Sequence, residues 1–412
     1  MQYGLIGEKL SHSFSKEIHE AIASYKYELC EIAKDDLAQF LKNREFCAIN
    51  VTMPYKKEVI PYLDEVSHAA RELQAVNCIV NRDGKLYGYN TDYFGMRDLI
   101  SRAQIDISDK KILILGTGGT ARTSNLVCKD LGATDITLVS REKKENAITY
   151  DEAYSIYNDA EIIINTTPVG MYPNSYASSL DLSKFSKLKA VFDAVYNPIR
   201  TQIVLDAQKR GICAKGGLYM LISQAVHAVE LFLNKELDSN TANEIYDKII
   251  KQKENIVLIG MPSSGKTTVG KILANNLSRE LFDLDDEIEK NIGCTIAEYF
   301  KSHTEKDFRD IETKITKEIS KKNNIVIATG GGCILREENT DALHSNGRLY
   351  FLDRDLENLT PTDSRPLATK KEALQKLYEA RYHLYLNTCD VQINGNLNVK
   401  EEANLIEKEF FK

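Results

Sequence analysis

The segment Gly260-Met261-Pro262-Ser263-Ser264-Gly265-Lys266-Thr267 has the form G-x-x-x-x-G-K-T. Residues of these types at this spacing handle phosphate. The backbone from Gly260 through Ser263, Ser264 and Gly265 cradles phosphates, and Lys266 reaches the transferring group. Thr267, followed by Thr268, is placed to ligate Mg²⁺. An ATPase, a GTPase and a small-molecule kinase all fit this loop alone. A second loop, Gly116-Thr117-Gly118-Gly119-Thr120-Ala121, has the form G-x-G-x-x-A. Gly116, Gly118 and Gly119 let the backbone turn sharply and approach a pyrophosphate at a helix N-terminus, with Ala121 completing the dinucleotide pattern. The same pattern also describes a plain strand-to-helix turn. About twenty residues on, where NAD sites carry an acidic residue, stands Val139-Ser140-Arg141-Glu142. A guanidinium suits a 2′-phosphate, so NADPH is expected over NADH; the other reading of Arg141 is a solvated charged turn.

These loops need strands to aim them. Apolar runs at 112–115 and 255–259 lead into the two glycine loops, and strand-like and helix-like runs alternate along the whole chain. That alternation predicts α/β architecture with mostly parallel sheets. Strands are expected at 3–6, 48–52, 78–81, 136–139, 162–165, 190–194 and 325–328, and helices at 218–232 and 238–254. The main boundary is placed near 252, where contacts should change partner.

With 412 residues, the chain has room for two or three domains, each with its own core. A net charge of -7 argues against nucleic acid or an anionic membrane as partner, since either favours a basic face. No apolar run approaches the roughly 20 residues that span a bilayer. The chain opens directly into a strand-like segment without a signal core, so a cytoplasmic protein acting on small molecules is expected. The 8 cysteines stand singly, without C-x-x-C pairs, as reduced structural thiols do. The oligomeric state is left open.

Six motifs follow one another through the first half: Ser11-His12-Ser13-Phe14-Ser15, Asn50-Val51-Thr52-Met53-Pro54-Tyr55-Lys56, Ala75-Val76-Asn77, Asn90-Thr91-Asp92, Tyr196-Asn197-Pro198, and Gly217-Leu218-Tyr219-Met220 with Gln224. In this order they resemble the shikimate dehydrogenases over residues 1 to about 250. The resemblance implies that Ser13 and Ser15 hold the substrate carboxylate and that Lys56 is the catalytic lysine with Asp92 its acidic partner. It assigns Thr52, Asn77, Tyr196 and Gln224 to the substrate and Gly217 to the cofactor. Reducing the ketone of 3-dehydroshikimate places negative charge on oxygen as hydride arrives. An ammonium stabilises that charge and delivers a proton, while a carboxylate orients the ammonium. Glu8 and Lys16 stand where the family usually has prolines, a change that touches loop rigidity more than chemistry.

Downstream of the phosphate loop come Phe282-Asp283-Leu284-Asp285, Phe308-Arg309 with Glu312, Gly330-Gly331-Gly332, Arg365-Pro366-Leu367, and Arg381 with Tyr385. Residues 253–412 thereby resemble the shikimate kinases. The resemblance implies that Arg309 and Arg381 clamp the shikimate carboxylate. Gly331 and Gly332 give close backbone approach to the ring, and Asp285 accepts or orients the attacking hydroxyl. Asp283 serves Mg²⁺ through its water shell, and Arg365 closes over the transferring phosphoryl group from a short lid.

The architecture so implied is a two-lobed dehydrogenase with a Rossmann-type NADP domain, followed by a P-loop kinase domain with parallel sheet and lid. The substrate lobe takes about 1–102 plus 218–252, the NADP lobe about 103–217, and the kinase 253–412. The function implied is a bifunctional enzyme of the shikimate pathway, which leads to chorismate and the aromatic amino acids. It would reduce 3-dehydroshikimate with NADPH and phosphorylate shikimate with Mg-ATP, without channelling. Two rivals are a quinate/shikimate dehydrogenase using NAD and a non-catalytic sensor; Lys56, Asp92, Lys266 and Asp285, all present, argue against the sensor.

Overall fold

Ile112 to Leu115, Ile162 to Ile164 and Ile256 to Ile259 have no polar alternation, the pattern of strands covered on both faces. All of these residues are buried in central parallel strands. In the computed structural model, which describes residues 1–10, 14–360 and 371–412, the chain forms two compact units, Met1–Ile249 and Ile250–Lys412.

The first unit holds two sheets. One is built from β1 (Tyr3–Gly7), β2 (Tyr27–Glu31), β3 (Ala48–Val51), β4 (Glu65–Val66), β5 (Cys78–Arg82) and β6 (Lys85–Tyr89), in the order β2-β1-β3-β5-β6-β4. It is mixed, because β5 runs antiparallel to both β3 and β6. Asp83 and Gly84, with φ of 52° and 82°, form the two-residue turn of the β5–β6 hairpin. The other sheet comprises β7 (Lys111–Leu115), β8 (Asp135–Ser140), β9 (Ile148–Thr149), β10 (Ile162–Asn165), β11 (Ala190–Asp193) and β12 (Cys213–Lys215). Its order, β9-β8-β7-β10-β11-β12, is all parallel, the doubly wound arrangement whose ligand crevice opens beside the first strand.

Helices Thr91–Arg102 and Leu218–Leu233 pack on each other between the sheets. They approach closely at Gly95, where a Cβ would lie 2.5 Å from the Met220 carbonyl oxygen. Helix Leu218–Leu233 is apolar around most of its circumference, so it offers a face to each sheet. Ala228 and Phe232 join the core of the first sheet with Leu5 and Tyr27. Tyr219 and Met220 join the core of the second with Ile112 and Ile164, and Ala242 and Tyr246 pack there too. Residues 218–252 therefore serve both lobes rather than the substrate lobe alone.

The second unit has one sheet of β13 (Asn255–Ile259), β14 (Glu280–Asp283), β15 (Ile325–Ala328), β16 (Gly347–Asp353) and β17 (Val391–Asn394), all parallel in the order β14-β15-β13-β16-β17. The chain winds to opposite sides of β13, so the phosphate loop leaves its strand at the switch point. Helix Glu305–Ile319 starts from a capping box in which Thr304 and Asp307 satisfy each other's backbone amides. That fixes the start of the helix carrying Arg309 and Glu312. Among the described residues, no helix is long and apolar enough to cross a membrane.

Candidate active sites

In the first unit the Lys56 ammonium lies 2.6 Å from Asp92 Oδ2, both side chains about one-quarter exposed. Lys56 sits in the turn after β3. The turn is anchored by buried Tyr55, whose hydroxyl donates to the Ile32 carbonyl at 2.6 Å, and by the Val76 amide donating to the Lys56 carbonyl at 2.7 Å. Asp92 occupies the first turn of helix Thr91–Arg102, where the helix dipole favours an anion. Asn77 accepts from the Thr91 amide at 2.7 Å, and the Thr91 hydroxyl lies 3.1 Å from both Asn77 Nδ2 and Gln224 Oε1. A cavity of about 410 Å³ is lined by Ser15, Thr52, Lys56, Asn77, Asp92, Tyr196 and Gln224. Ser13 lies outside the described residues. Lys9 and Asn50, not singled out above, also line this cavity. Asn50 is held by the Tyr27 hydroxyl at 2.7 Å and donates to the Asn77 carbonyl at 3.2 Å. Its position inside the N-V-T motif was the available signal.

The dinucleotide loop leaves β7 at Gly116, whose φ of 107° suits only glycine. Gly118 caps helix Gly119–Asp130. A Cβ at Gly118 or Gly119 would meet nothing within 4 Å. Neither packing nor backbone conformation demands glycine there, and the open ground before a helix N-terminus fits a pyrophosphate. Ala121 is buried in the core, where it packs the helix on the sheet. Arg141 is exposed at the end of β8. Lys144 reaches back from the same loop to donate to the Thr117 hydroxyl at 2.9 Å, while Lys143 turns away to Glu152. Lys144 was missed, although its signal was a basic pair just after Arg141. Gly217 caps helix Leu218–Leu233, and a Cβ there would fall 2.3 Å from the Ala194 carbonyl oxygen.

In the second unit a cavity of about 310 Å³ gathers Thr267, Asp283, Asp285, Arg309, Gly331, Gly332 and Arg381. Gly260 and Gly265, with φ of 150° and 95°, shape the phosphate loop, and Ser263 adopts φ 66° beside buried Ser264. The Lys266 ammonium donates to the carbonyls of Gly260 and Met261, both at 2.8 Å. Thr267 donates to Asp283 Oδ2 at 2.5 Å, and Asp283 Oδ1 accepts from the Asp285 amide at 3.0 Å. Thr268 is exposed on the first turn of the helix.

Arg309 is held by Glu312 at 2.7 Å and Glu305 at 3.0 Å. Burial pushes the Glu312 carboxyl up, against the pull of Arg309. Arg381 donates to the Gly331 carbonyl at 3.0 Å, and the Tyr385 hydroxyl donates to the same oxygen. The glycine run makes room for the protein's own groups. A Cβ at Gly330 would meet Asp285 at 2.6 Å, at Gly331 the Pro262 ring at 2.8 Å, and at Gly332 the Arg309 guanidinium at 2.3 Å. Glu312 and Tyr385 lay within recognised motifs, but only the packing gives them tasks. Arg365 lies outside the described residues.

The comparisons with known proteins divide the chain likewise. Residues 5–79 match the family model of the shikimate dehydrogenase substrate binding domain, and residues 262–409 that of shikimate kinase. The shikimate dehydrogenase (NADP(+)) of Clostridium perfringens is 38% identical over 265 residues, which cover 60% of this chain and 97% of that protein. Shikimate dehydrogenase 1 from Peptoclostridium difficile superposes with a TM-score of 0.54 at 35% identity, covering 60% of this chain and 98% of that one. A chorismate mutase/shikimate 5-dehydrogenase fusion protein from Clostridium acetobutylicum gives 0.57 at 35% identity, covering 60% and 96%. With the Lys56–Asp92 pair, the dinucleotide loop and the phosphate loop in place, the chain belongs to the shikimate dehydrogenase family and carries a shikimate kinase domain after it.

Proposed function

We propose that the two units catalyse consecutive reactions on one carbon skeleton: NADPH-dependent reduction of 3-dehydroshikimate to shikimate, then ATP-dependent phosphorylation of shikimate at its 3-hydroxyl. The observation that carries the first half is the Lys56–Asp92 pair, 2.6 Å apart in a cavity that also gathers Ser15, Thr52, Asn77, Tyr196 and Gln224. NADPH, when bound, supplies the hydride. Lys56 gives the new alkoxide its proton and regains one from solvent, while Asp92 keeps the ammonium aimed at the oxygen. Ser13 and Ser15 take the carboxylate; Thr52, Asn77, Tyr196 and Gln224 take the ring hydroxyls. Arg141 and Lys144 face the 2′-phosphate and favour NADPH over NADH.

For the second half, Mg-ATP supplies the transferring phosphoryl group. Thr267 and Asp283 offer hard oxygen ligands at the end of the phosphate loop, in keeping with an ion that retains much of its water shell. Asp285 orients the attacking hydroxyl, Arg309 and Arg381 grip the carboxylate, and Arg365 neutralises charge in the transition state. The compartment proposed is the cytoplasm, with small molecules as partners. Stopped-assay chromatography of each reaction, with NADPH against NADH and 3-dehydroshikimate against dehydroquinate, tests this reading. Equal turnover with NADH, or preference for the quinate series, would replace it with the NAD-linked alternative.

A further inference from the structure

Asp193, the last residue of β11, is fully buried. Among the described residues its partners are neutral donors: the Val195 amide and Asn165 Nδ2, each 2.9 Å from Oδ1, and the Thr201 hydroxyl on Oδ2. Thr201 is the N-cap of helix Gln202–Lys209, yet its side chain makes no cap bond. A hydroxyl that ordinarily serves a helix end is given to the carboxylate instead. Asp193 thus ties down residues 195 and 201, the two ends of the segment that presents Tyr196 to the substrate cavity.

The segment's other side rests on a glycine pair. The Gly217 amide donates to the Val195 carbonyl at 2.9 Å, and a Cβ at Gly216 would sit 2.7 Å from the Ile199 carbonyl oxygen. Burial pushes the Asp193 carboxyl up to about 7. A buried carboxylate held by neutral donors rather than a cation is a costly way to hold a loop. What it offers in return is two oxygens able to collect several donors at one point.

We propose that Asp193 is a positioning residue of the reductase, fixing the 194–201 segment so that Tyr196 meets the substrate. This rests on the reductase reading of the first unit. The test is a double-mutant cycle in the full-length protein, D193N with Y196F, reading kcat and KM for 3-dehydroshikimate. D193N is expected to lower kcat/KM about tenfold, mainly through KM, and to cost less than about threefold when Tyr196 is already Phe. Losses that multiply in the double variant, or a D193N enzyme within about twofold of wild type, would overturn the inference. Thr201→Val removes one of the three bonds while leaving β11 intact. It should show the same non-additivity on a smaller scale, so a poorly folding D193N leaves the inference testable, and an additive T201V would overturn it. Wild-type protein that reduces no 3-dehydroshikimate would strike the reading of the first unit itself.

Discussion

The two sites solve the problem of preparing charge in opposite ways. In the first unit the Lys56–Asp92 ion pair is partly open to solvent, and Asn77, Thr91 and Gln224 are bonded together at the same cavity. In the second unit the charges are engaged by the protein itself. Lys266 lies on the carbonyls of its own loop, Arg309 is buried between two glutamates, and Arg381 rests on Gly331. On the function proposed above, substrate meets a preset pair in the one and exchanges existing hydrogen bonds in the other. That suits a phosphoryl transfer, where positioning and charge neutralisation are most of the catalysis.

The largest effect that could break this contrast is loss of either lysine. Lys56→Ala should cost reduction about 10²–10⁴-fold and leave phosphorylation unchanged. Lys266→Ala should do the reverse, costing phosphorylation roughly 10³-fold. Spectrophotometric assays of both reactions on each variant check this; one substitution silencing both would show the sites to be coupled.

Glycine substitutions sharpen the comparison further. Gly332→Ala drives a methyl into the Arg309 guanidinium and should abolish detectable shikimate binding while lowering the melting temperature of the second unit. Gly118→Ala places the same methyl in open space and should leave melting unchanged. It should raise the KM for NADPH about tenfold, near 1.4 kcal/mol. Calorimetry with steady-state kinetics separates the two, and a melting loss at Gly118 would contradict the open cradle.

Acidity distinguishes the first unit by a buried group. His19 is stacked on Tyr27 at 4.1 Å, and burial lowers its pKa to about 3. The folded state then holds fewer protons than the unfolded chain below the ordinary value near 6.5, so this stability is present above that pH and lost as pH falls. Asp193 acts oppositely, its raised value making stability fall as pH rises toward about 7. The readout is therefore the difference between wild type and His19→Phe. Between pH 7 and pH 5 that difference should shrink by roughly 2 kcal/mol in urea melts of the NADP-stabilised transition. A constant difference would place a charged or solvated His19 in the folded protein. The smallest effect is expected from Lys144→Ala, which should cut the preference for NADPH over NADH about fivefold, near 1 kcal/mol, with kcat on NADH unchanged. An unaltered cofactor ratio would take Lys144 out of the 2′-phosphate site.

Much of this was legible in the sequence because glycine patterns and unbroken apolar runs report directly on backbone geometry. Strand ends came within about two residues, as at 162–165, where three isoleucines lead up to Asn165, and both glycine loops stood out by their spacing together with the apolar runs before them. The antiparallel half of the first sheet was not anticipated, although Asp83-Gly84 between alternating residues was a hairpin signal. Contacts between distant segments left no local mark. Lys144 on Thr117, Asp193 on Thr201, and Arg309 filling the space above Gly332 each depend on side chains that the fold alone brings together. The triple glycine, expected to give close backbone approach to the ring, also makes room for Asp285, Pro262 and Arg309.

The most direct measurement supplies 3-dehydroshikimate, NADPH and Mg-ATP to the purified full-length protein and follows NADPH absorbance and shikimate 3-phosphate together. Two complete sites predict NADPH oxidation that needs no ATP, and shikimate 3-phosphate only when both cofactors are present. They also predict that wild-type flux returns when Lys56→Ala and Lys266→Ala proteins are mixed. Phosphate ester formed without NADPH oxidation, or a mixture of the two variants that makes none, would contradict two independent sites.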